Sequence, residues 1–290
     1  MLHIVSMKGE TKKLKIRPIP DADVLRIPLS QNIGSPAVPV VKSGDHVLQY
    51  QVIGKPGKGC SAAIHAPVSG DVLGIDELEL PGGVKCQAVV IKNDFKNEQV
   101  PLVKDDATPQ VLISRAGIVG EGGAQFPTAL KYPEAERGGL KTLILNGTEC
   151  EPYLTADYAL MTERTEEVLK GAEILRSMMQ ISEVVLVIEE QNKELKDVFA
   201  PLLEKAEYRN YRIQLLPNTY PQGGELQVIK SVTGLEIPRG KLPKDAGVVV
   251  NNWGRCILYL RLLKSAYRLS AVLLLFPEKK RKLVAILRLR

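Results

Sequence analysis

The sequence has few residues of the kinds that bind metals or form disulfides. It contains four cysteines and three histidines in 290 residues, and no CxxC or HExxH pattern occurs. Cysteines this far apart are typical of isolated thiols in a reducing compartment. The missing patterns argue against the common zinc and iron–sulfur ligand sets. We therefore expect no disulfide framework, no metal site and no iron–sulfur ligands within this chain.

Long apolar runs are also absent. No stretch reaches the length of about 18 uncharged apolar residues that a membrane-spanning helix requires. The N-terminus, MLHIVSMKGETKKLKI, lacks the apolar core of a signal peptide, so we expect no export signal and a cytoplasmic protein. Hydrophobic content of 44% and charged content of 25% exclude a disordered or collagen-like chain.

The positive charge is confined to the end of the sequence. The net charge is +6, but residues 253–290 contain ten Lys or Arg and one Glu, which leaves residues 1–252 at −3. The body is therefore not basic, and nucleic-acid binding would have to rest on the tail alone. We therefore expect no nucleic-acid partner.

Residues 26–100 predict a small all-β domain, preceded by an N-terminal extension, residues 1–25. Short β-rich runs alternate there with Gly, Pro and Asp. The segments VKSGDHV and HAPVSGDV resemble turns of the barrel-sandwich hybrid in lipoyl and biotinyl domains. Neither Lys55 nor Lys58 has the hairpin context of the lysine that carries those groups. We expect this domain to be structural and to carry no lipoyl or biotinyl group.

Residues 108–252 predict a second domain with a Rossmann-like parallel sheet. The apolar runs KTLILNG, EVVLVIEE, YRIQLLPN and AGVVVNN alternate with segments of helical periodicity. Ligands of such sheets bind at the carboxyl ends of the strands. The polar sequences NGTECEPY, PNTYPQGGE and NN follow the strands and therefore mark the expected site.

The segment GEGGAQFPTALKY, residues 120–132, contains three glycines ahead of a predicted helical turn. Glycines permit a close approach of the backbone to a phosphate, although they mark plain turns as readily. We expect the helix to open at Phe126, with Pro127 in its first turn and Lys131 further along. Free N–H groups at that end and the lysine would together suit an anionic ligand.

The segment LNGTECEPY offers Asn146, Glu149 and Glu151 at the end of a strand. Carboxylates in this position accept hydrogen bonds from ribose hydroxyls, and an amide can pair with the edge of a heterocycle. The alternative is that the glutamates cap the next helix, near TADYAL. We interpret Cys150 as a small filler of the core, since no histidine lies near it in sequence.

Four motifs, GEGGAQFPTALK, LNGTECEPY, YPQGGE and VVVNN, together resemble a known family. In order and spacing they are similar to the flavin-binding subunit of respiratory NADH dehydrogenase, and more closely to the C subunit of the Rnf electron-transport complex. The resemblance extends upstream through IPLSQNIGSPAVPVVKSGD and covers residues 25–252.

The resemblance implies an FMN-binding module that accepts electrons from NADH and passes them to iron–sulfur centres. It implies partners among the other subunits of a membrane complex, with the protein peripheral on the inner face of the cell membrane and its membrane contact mainly indirect. It places Glu149 and Glu151 on the nicotinamide side. The implied flavin contacts are Gly120, Gly122, Gly123, Lys131, Asn146, Tyr220, Gly223, Gly224, Asn251 and Asn252.

The sequence departs from the family after Asn252. Family members continue into cysteine repeats that hold two [4Fe–4S] clusters, whereas here a Leu- and Arg-rich tail follows, residues 253–290. This pattern indicates a frame shift or truncation, with a basic surface helix as the alternative. We expect a tail that packs poorly and an NADH oxidoreductase module that is incomplete. Gln125 replaces a usual glycine, which favours a second hypothesis, a flavin-free assembly or docking module.

Overall fold

A computed structural model gives the fold of this chain. It describes residues 2–80, 82–101, 109–120, 125–132 and 139–264, the last four without their side chains. The described chain divides into two compact units: one comprises residues 17–130, and the other comprises residues 2–16 together with residues 131–260.

The first unit is built from seven short strands in two antiparallel sheets. The strands are β1 Val24–Pro28, β2 Val38–Pro39, β3 His46–Val47, β4 Val52–Lys55, β5 Ile64–His65, β6 Gly70–Glu79 and β7 Lys85–Asn93. One sheet has the order β1-β7-β6-β3 and the other the order β2-β4-β5. The predicted all-β domain is therefore confirmed.

A single apolar core joins these two sheets. Side chains from both sheets meet in it, among them Ile27, Val72 and Ile91 from the larger sheet and Ile53 and Ile64 from the smaller. Alternate residues of a strand point to opposite faces, so each short strand contributes only one or two of these side chains. The two sheets hold together because they share this core.

Helix α1, Pro109–Arg115, follows the β strands. Two residues after it comes a glycine that no other residue can easily replace. Gly117 has a φ of +64°. A side chain there would also collide with the carbonyl oxygen of Ala63. The left-handed backbone and the close approach both require glycine, and together they fix the end of α1 against the β strands.

The second unit contains a four-stranded parallel sheet. Its strands are β8 Thr142–Gly147, β9 Glu183–Glu189, β10 Tyr211–Leu216 and β11 Val248–Asn252, in the order β10-β9-β8-β11. All three pairings are parallel. The four apolar runs that predicted strands are thus confirmed as the strands of one sheet.

Five helices connect or follow these strands. They are α2 Ala156–Glu163, α3 Thr165–Met178, α4 Leu195–Leu203, α5 Glu225–Thr233 and α6 Trp253–Lys264. The long helical pattern between β8 and β9 is divided between α2 and α3, where Arg164 leaves the helical conformation. The predicted alternation of strands and helices is otherwise confirmed.

Both faces of the parallel sheet are buried. On one face Ile144, Val185 and Val250 pack with Val228 and Ile229 of α5. The alternate strand residues, Leu143, Leu145, Val184, Leu186 and Ile188, are fully buried as well. Near-continuous apolar strands are what a parallel sheet with two covered faces requires.

The expectation that the chain packs poorly after Asn252 is wrong for the described residues there. Residues 253–260 lie in α6, and every one of them is buried. Trp253 stacks on Phe199 of α4 at a ring distance of 5.2 Å. The sequence pattern missed this helix because it is buried on several sides and therefore shows no polar stripe. Residues 265–290 lie outside the described part of the chain.

Helices of the described residues are all too short or too polar to cross a bilayer.

A glycine in α3 allows the close packing of α6. A side chain at Gly171 would collide with the backbone carbonyl of Cys256. In an unobstructed helix, Gly→Ala stabilises by about 0.5–1 kcal/mol. Here we expect Gly171→Ala to destabilise by about 1–3 kcal/mol, because the methyl group overpacks the contact. Chemical denaturation measures the change.

Gly9→Ala is the matched control, since a side chain there meets no atom within 4 Å. It should leave the denaturation midpoint almost unchanged. Stabilisation by Gly171→Ala would contradict the packing of α3 against α6.

Candidate functional site

The strand order reverses between the carboxyl ends of β8 and β11, and the space outside these two strand ends is called the crevice below. The chain runs from β8 to β9 and β10 on one side and then returns to β11 on the other side. Ligands of open parallel sheets bind where the strand order reverses in this way. The register pairs Asn252 with Asn146, and Asn251 with Leu145. Three of the predicted flavin contacts therefore lie at these two strand ends.

Asn146 ties the end of β8 to the loop after β10. Its amide nitrogen donates to the carbonyl of Gly223 over 2.9 Å. Its oxygen accepts from the backbone and the hydroxyl of Thr148, over 3.1 and 2.6 Å. A side chain at Gly223 would lie 2.7 Å from the Thr148 carbonyl oxygen. Glycine is thus required where this loop approaches β8, and Gly224 follows as the residue before α5.

Asn251 and Asn252 connect β11 to the two helices around it. Asn251 is buried; its amide nitrogen donates to the Tyr132 hydroxyl over 2.7 Å, and its oxygen accepts from Arg255 over 2.8 Å. Asn252 donates to Asp157 over 2.7 Å and accepts from the Gly254 N–H over 2.8 Å. Asn252 therefore caps the N-terminus of α6.

Lys131 lies at the open edge of β11. Its ammonium group donates to the Glu225 carboxylate over 2.7 Å and to the Val250 carbonyl over 3.1 Å. Burial lowers the pKa of Lys131, and the charge of Arg255 lowers it further, while Glu225 acts in the opposite direction. A partly buried cation whose carboxylate partner is nearly half exposed favours an additional anion nearby.

Glu149 caps the helix that follows β8. Its two carboxylate oxygens accept the N–H groups of Asp157 and Tyr158, over 2.7 and 3.2 Å. This is the alternative that the sequence left open for the glutamates. Burial raises the pKa of Glu149, although Lys8 and the two N–H groups oppose this effect. A role towards nicotinamide for Glu149 stays a prediction.

The N-terminal segment, residues 2–16, lies at the carboxyl ends of β8, β9 and β10, and sequence reasoning missed it. Leu2 and Tyr220 exchange backbone hydrogen bonds, and the Met7 N–H donates to Pro152. The buried side chain of Lys8 donates to the Glu149 carbonyl and lies 3.9 Å from the Glu189 carboxylate. No motif marks this lysine, because its partners are 141 and 181 positions away.

A polar cleft of about 210 Å³ opens between the N-terminal segment and the ends of β8, β9 and β10. Cys150, Tyr220 and Glu189 contribute to its walls. The exposed Glu151 raises the pKa of Tyr220 by its charge, and the two side chains are hydrogen-bonded. Burial raises the pKa of Cys150, which keeps the thiol protonated and agrees with a filler rather than a nucleophile.

The glycine segment is described only in part. Gly122, Gly123 and the neighbouring Glu121 lie outside the described residues. The N–H of Gly120 donates to the Phe126 carbonyl over 2.9 Å. The φ of Gln125, at +50°, is in the region that glycine prefers. The N–H of Gly120 is thus already paired within the protein.

The expectation that a helix opens at Phe126 is wrong. The structure has a four-residue 3-10 turn over Thr128–Lys131 instead. Pro127 pairs with Val119 just before it, so the backbone turns there rather than opening a longer helix. A turn this short has too small a dipole to attract an anion. Any charge attraction in this segment therefore rests on Lys131 itself.

Two family models match the chain. The RnfC barrel-sandwich hybrid domain matches residues 2–96, and the Nuo51 FMN-binding domain matches residues 113–257. The chain belongs to the family of Rnf-complex C subunits. The predicted fold class, a barrel-sandwich hybrid followed by a Rossmann-like FMN-binding domain, is confirmed.

Curated relatives carry the same family name. The chain is 40% identical over 256 residues to the C subunit of a proton-translocating ferredoxin:NAD(+) oxidoreductase complex from Clostridium ljungdahlii, covering 85% of this chain and 54% of the relative. It is 37% identical to the C subunit of a Na(+)-translocating complex of the same type from Acetobacterium woodii, covering 80% and 54%. The C subunit of an ion-translocating oxidoreductase complex from Rhodobacter capsulatus is 36% identical, covering 87% and 50%. This member of the Rnf C-subunit family thus spans about half the length of these relatives.

The buried charge of Lys8 generates a prediction for this family member. Removing one partner of a buried ion pair costs about 3–5 kcal/mol. We expect Lys8→Met to lower the free energy of unfolding by about this amount at neutral pH, as measured by chemical denaturation. Without the lysine, the folded-state pKa of Glu149 should rise further, because the charge of Lys8 now lowers it. A carboxyl group with a raised pKa in the folded state destabilises the fold only while it is ionised. The difference in unfolding free energy between Lys8→Met and the original protein should therefore shrink as the pH falls towards about 5.

Lys85→Met is the control, because Lys85 pairs with Glu77 where both side chains are largely exposed. It should cost no more than about 1 kcal/mol and show little pH dependence. An equal effect of the two variants would contradict the buried ion pair.

Proposed function

We propose that this chain is an FMN-binding module that accepts electrons from NADH in an Rnf-type electron-transport complex. The observation that carries the proposal is the crevice between β8 and β11, which combines a lysine, three asparagines and a glycine without room for a side chain. The match to an FMN-binding family supports it, as does the name of the relatives, the C subunit of a ferredoxin:NAD(+) oxidoreductase complex.

The residues of the crevice fit the chemistry of a flavin nucleotide. Lys131 supplies a partly buried positive charge for a phosphate, and burial together with the charge of Arg255 lowers its pKa. Asn146 and Asn252 place amide groups on adjacent strands, where they can orient a flat ring. Gly223 keeps the loop after β10 close to β8. When bound, FMN supplies the conversion between two-electron and one-electron transfer.

The nicotinamide nucleotide belongs, in this proposal, on the side of Glu151 and Tyr220. Glu151 is exposed and available to ribose hydroxyls, whereas Glu149 is occupied as a helix cap. The hydrogen bond with Tyr220 holds the Glu151 carboxylate beside the polar cleft. We therefore assign NADH recognition to Glu151 ahead of Glu149.

The remaining parts of the proposal concern the assembly. The partners are other subunits of a membrane complex, and the electrons pass to iron–sulfur centres that these or further segments provide. The module would lie on the inner face of the membrane, in contact with it through those subunits, and without a nucleic-acid partner.

A flavin-free docking module is the second candidate. Specific hydrogen bonds favour it: the Gly120 N–H, the Asn146 amide and the Asn251 amide all have partners within the protein. Flavin binding would have to exchange some of these bonds. The visible absorbance of flavin in the purified protein separates the two candidates.

Lys131→Met tests the flavin proposal. A hydrogen bond to a charged group contributes about 1.5–3 kcal/mol. We therefore expect the dissociation constant for FMN, measured by the quenching of flavin fluorescence, to rise about 10- to 100-fold. Lys170→Met is the control, since Lys170 pairs with Glu166 on the surface of α3. Unchanged FMN affinity in Lys131→Met would remove the lysine from the site.

Glu151→Gln tests the nicotinamide side. The amide keeps the shape of the side chain but loses the charge that ribose hydroxyls donate to, so NADH should bind about 10-fold more weakly. Flavin content should stay the same. Bleaching of the flavin absorbance at increasing NADH concentrations measures the effect, with the exposed Glu204→Gln as the control. Loss of flavin at unchanged NADH affinity would reverse the assignment.

A further inference from the structure

The N-terminal segment holds the loop after β8 at two points. The ammonium group of Lys8, which is 2% exposed, donates to the backbone carbonyl of Glu149. The Met7 N–H donates to the carbonyl of Pro152 over 3.0 Å. Glu151 lies between these two anchored carbonyls, one residue before Pro152. The backbone on both sides of Glu151 is therefore fixed by a segment far away in the sequence.

The same segment also holds the loop after β10. The backbones of Leu2 and Tyr220 exchange two hydrogen bonds, over 2.9 and 2.8 Å. The side chain of Tyr220 is in turn hydrogen-bonded with that of Glu151. Residues 2–8 thus fix the loops that carry both members of this pair.

These anchors leave the carboxylate of Glu151 accessible. Glu151 is exposed, and its partner Tyr220 lines the polar cleft. The neighbouring Glu149, by contrast, is buried and caps α2 with both carboxylate oxygens. The loop thus combines a fixed backbone with one carboxylate that a ligand can reach. This combination favours binding, because a group that is already held in place loses little freedom when the ligand arrives.

Stability alone is a poor reason for burying Lys8. Taking an ammonium group out of water is costly, and apolar residues in place of a buried ion pair are often as stable or more so. The ion-pair partner Glu189 lies 3.9 Å away, whereas the hydrogen bond of Lys8 goes to a main-chain carbonyl. Hydrogen bonds from a charged donor are stronger than those between neutral groups. The buried lysine therefore serves to fix the position of the loop after β8.

We propose that residues 2–8 are the positioning element of the nicotinamide side, and that Lys8 acts on NADH through Glu151. The inference rests on the proposed function, which assigns NADH recognition to Glu151. Without these residues, the loops after β8 and β10 lose their common support, and the pair of Glu151 and Tyr220 loses its fixed arrangement. Lys8 is thus a positioning residue for NADH, while FMN binding is assigned to the crevice between β8 and β11.

A double-mutant cycle tests this route from Lys8 to NADH. We expect Lys8→Met to weaken NADH binding about 10-fold, as Glu151→Gln does, and to change FMN affinity by no more than about 2-fold. In a protein that already carries Glu151→Gln, Lys8→Met should not weaken NADH binding further, because the carboxylate that it positions is gone. Bleaching of flavin absorbance measures NADH binding, and quenching of flavin fluorescence measures FMN binding. Lys13→Met, exposed in the same segment, is the control.

Met7→Pro is the second variant and serves if Lys8→Met is too unstable to purify. Proline removes the N–H that binds the Pro152 carbonyl and leaves Lys8 in place. We expect NADH binding to weaken about 2- to 10-fold, with FMN binding unchanged. Met7→Ala is the matched control, since it shortens a half-exposed side chain and keeps the N–H. It should bind NADH like the original protein.

Two results would overturn the proposal. One is an additive effect of Lys8→Met in the Glu151→Gln protein, which would mean that Lys8 acts on NADH by another route. The other is an equal change, or no change, in the affinities for NADH and FMN in Met7→Pro, which would make the segment merely structural.

If the original protein does not bind NADH, the proposed function fails, while the support of the two loops can still be tested. The Tyr220 N–H, which donates to the Leu2 carbonyl, should then exchange with solvent faster in Met7→Pro than in Met7→Ala, as measured by NMR. Amides in the centre of β9 should exchange equally in both variants. Equal exchange at Tyr220 would remove the positioning role of the segment as well.

Discussion

The parallel pairing of β8 with β11 is the contact on which the candidate site depends. It brings residues about 100 positions apart to one edge of the sheet and sets Asn146 beside Asn252. The same pairing positions the start of α6, because that helix follows β11 without an intervening loop. Both faces of these strands are buried, and this burial stabilises the pairing. The core beneath the strand ends therefore sets the geometry of the crevice.

Strong local patterns predicted the elements of the fold. The short β-branched runs are the four parallel strands of the structure. The turns marked by Gly and Asp near residues 44 and 70 lie next to strands of the all-β unit. The amides at the strand ends were predictable for the same reason, since parallel strands share one carboxyl edge. These inferences need only periodicity and the residues that follow each strand.

The features that sequence reasoning missed depend on partners far away in the chain. Lys8 is one of several lysines near the N-terminus, and only burial beside Glu189 distinguishes it. Helix α6 has apolar residues on several sides, so it lacked the pattern of a surface helix, and Arg255 appeared as one basic residue among many. The polar role of Glu149 was ambiguous because ribose binding and helix capping both use a carboxylate at this position. Only the N–H groups of α2 distinguish them.

The division of the chain also bears on how the protein folds during synthesis. The unit with the parallel sheet is made of two pieces, residues 2–16 and residues 131–260, and the all-β unit is inserted between them. Domains generally fold as units as the chain emerges from the ribosome. The all-β unit can therefore be complete while the first piece still lacks its partners. Lys8 must remain in solvent until β9 has been made and Glu189 is in place, so the earliest residues of the chain are among the last to be buried.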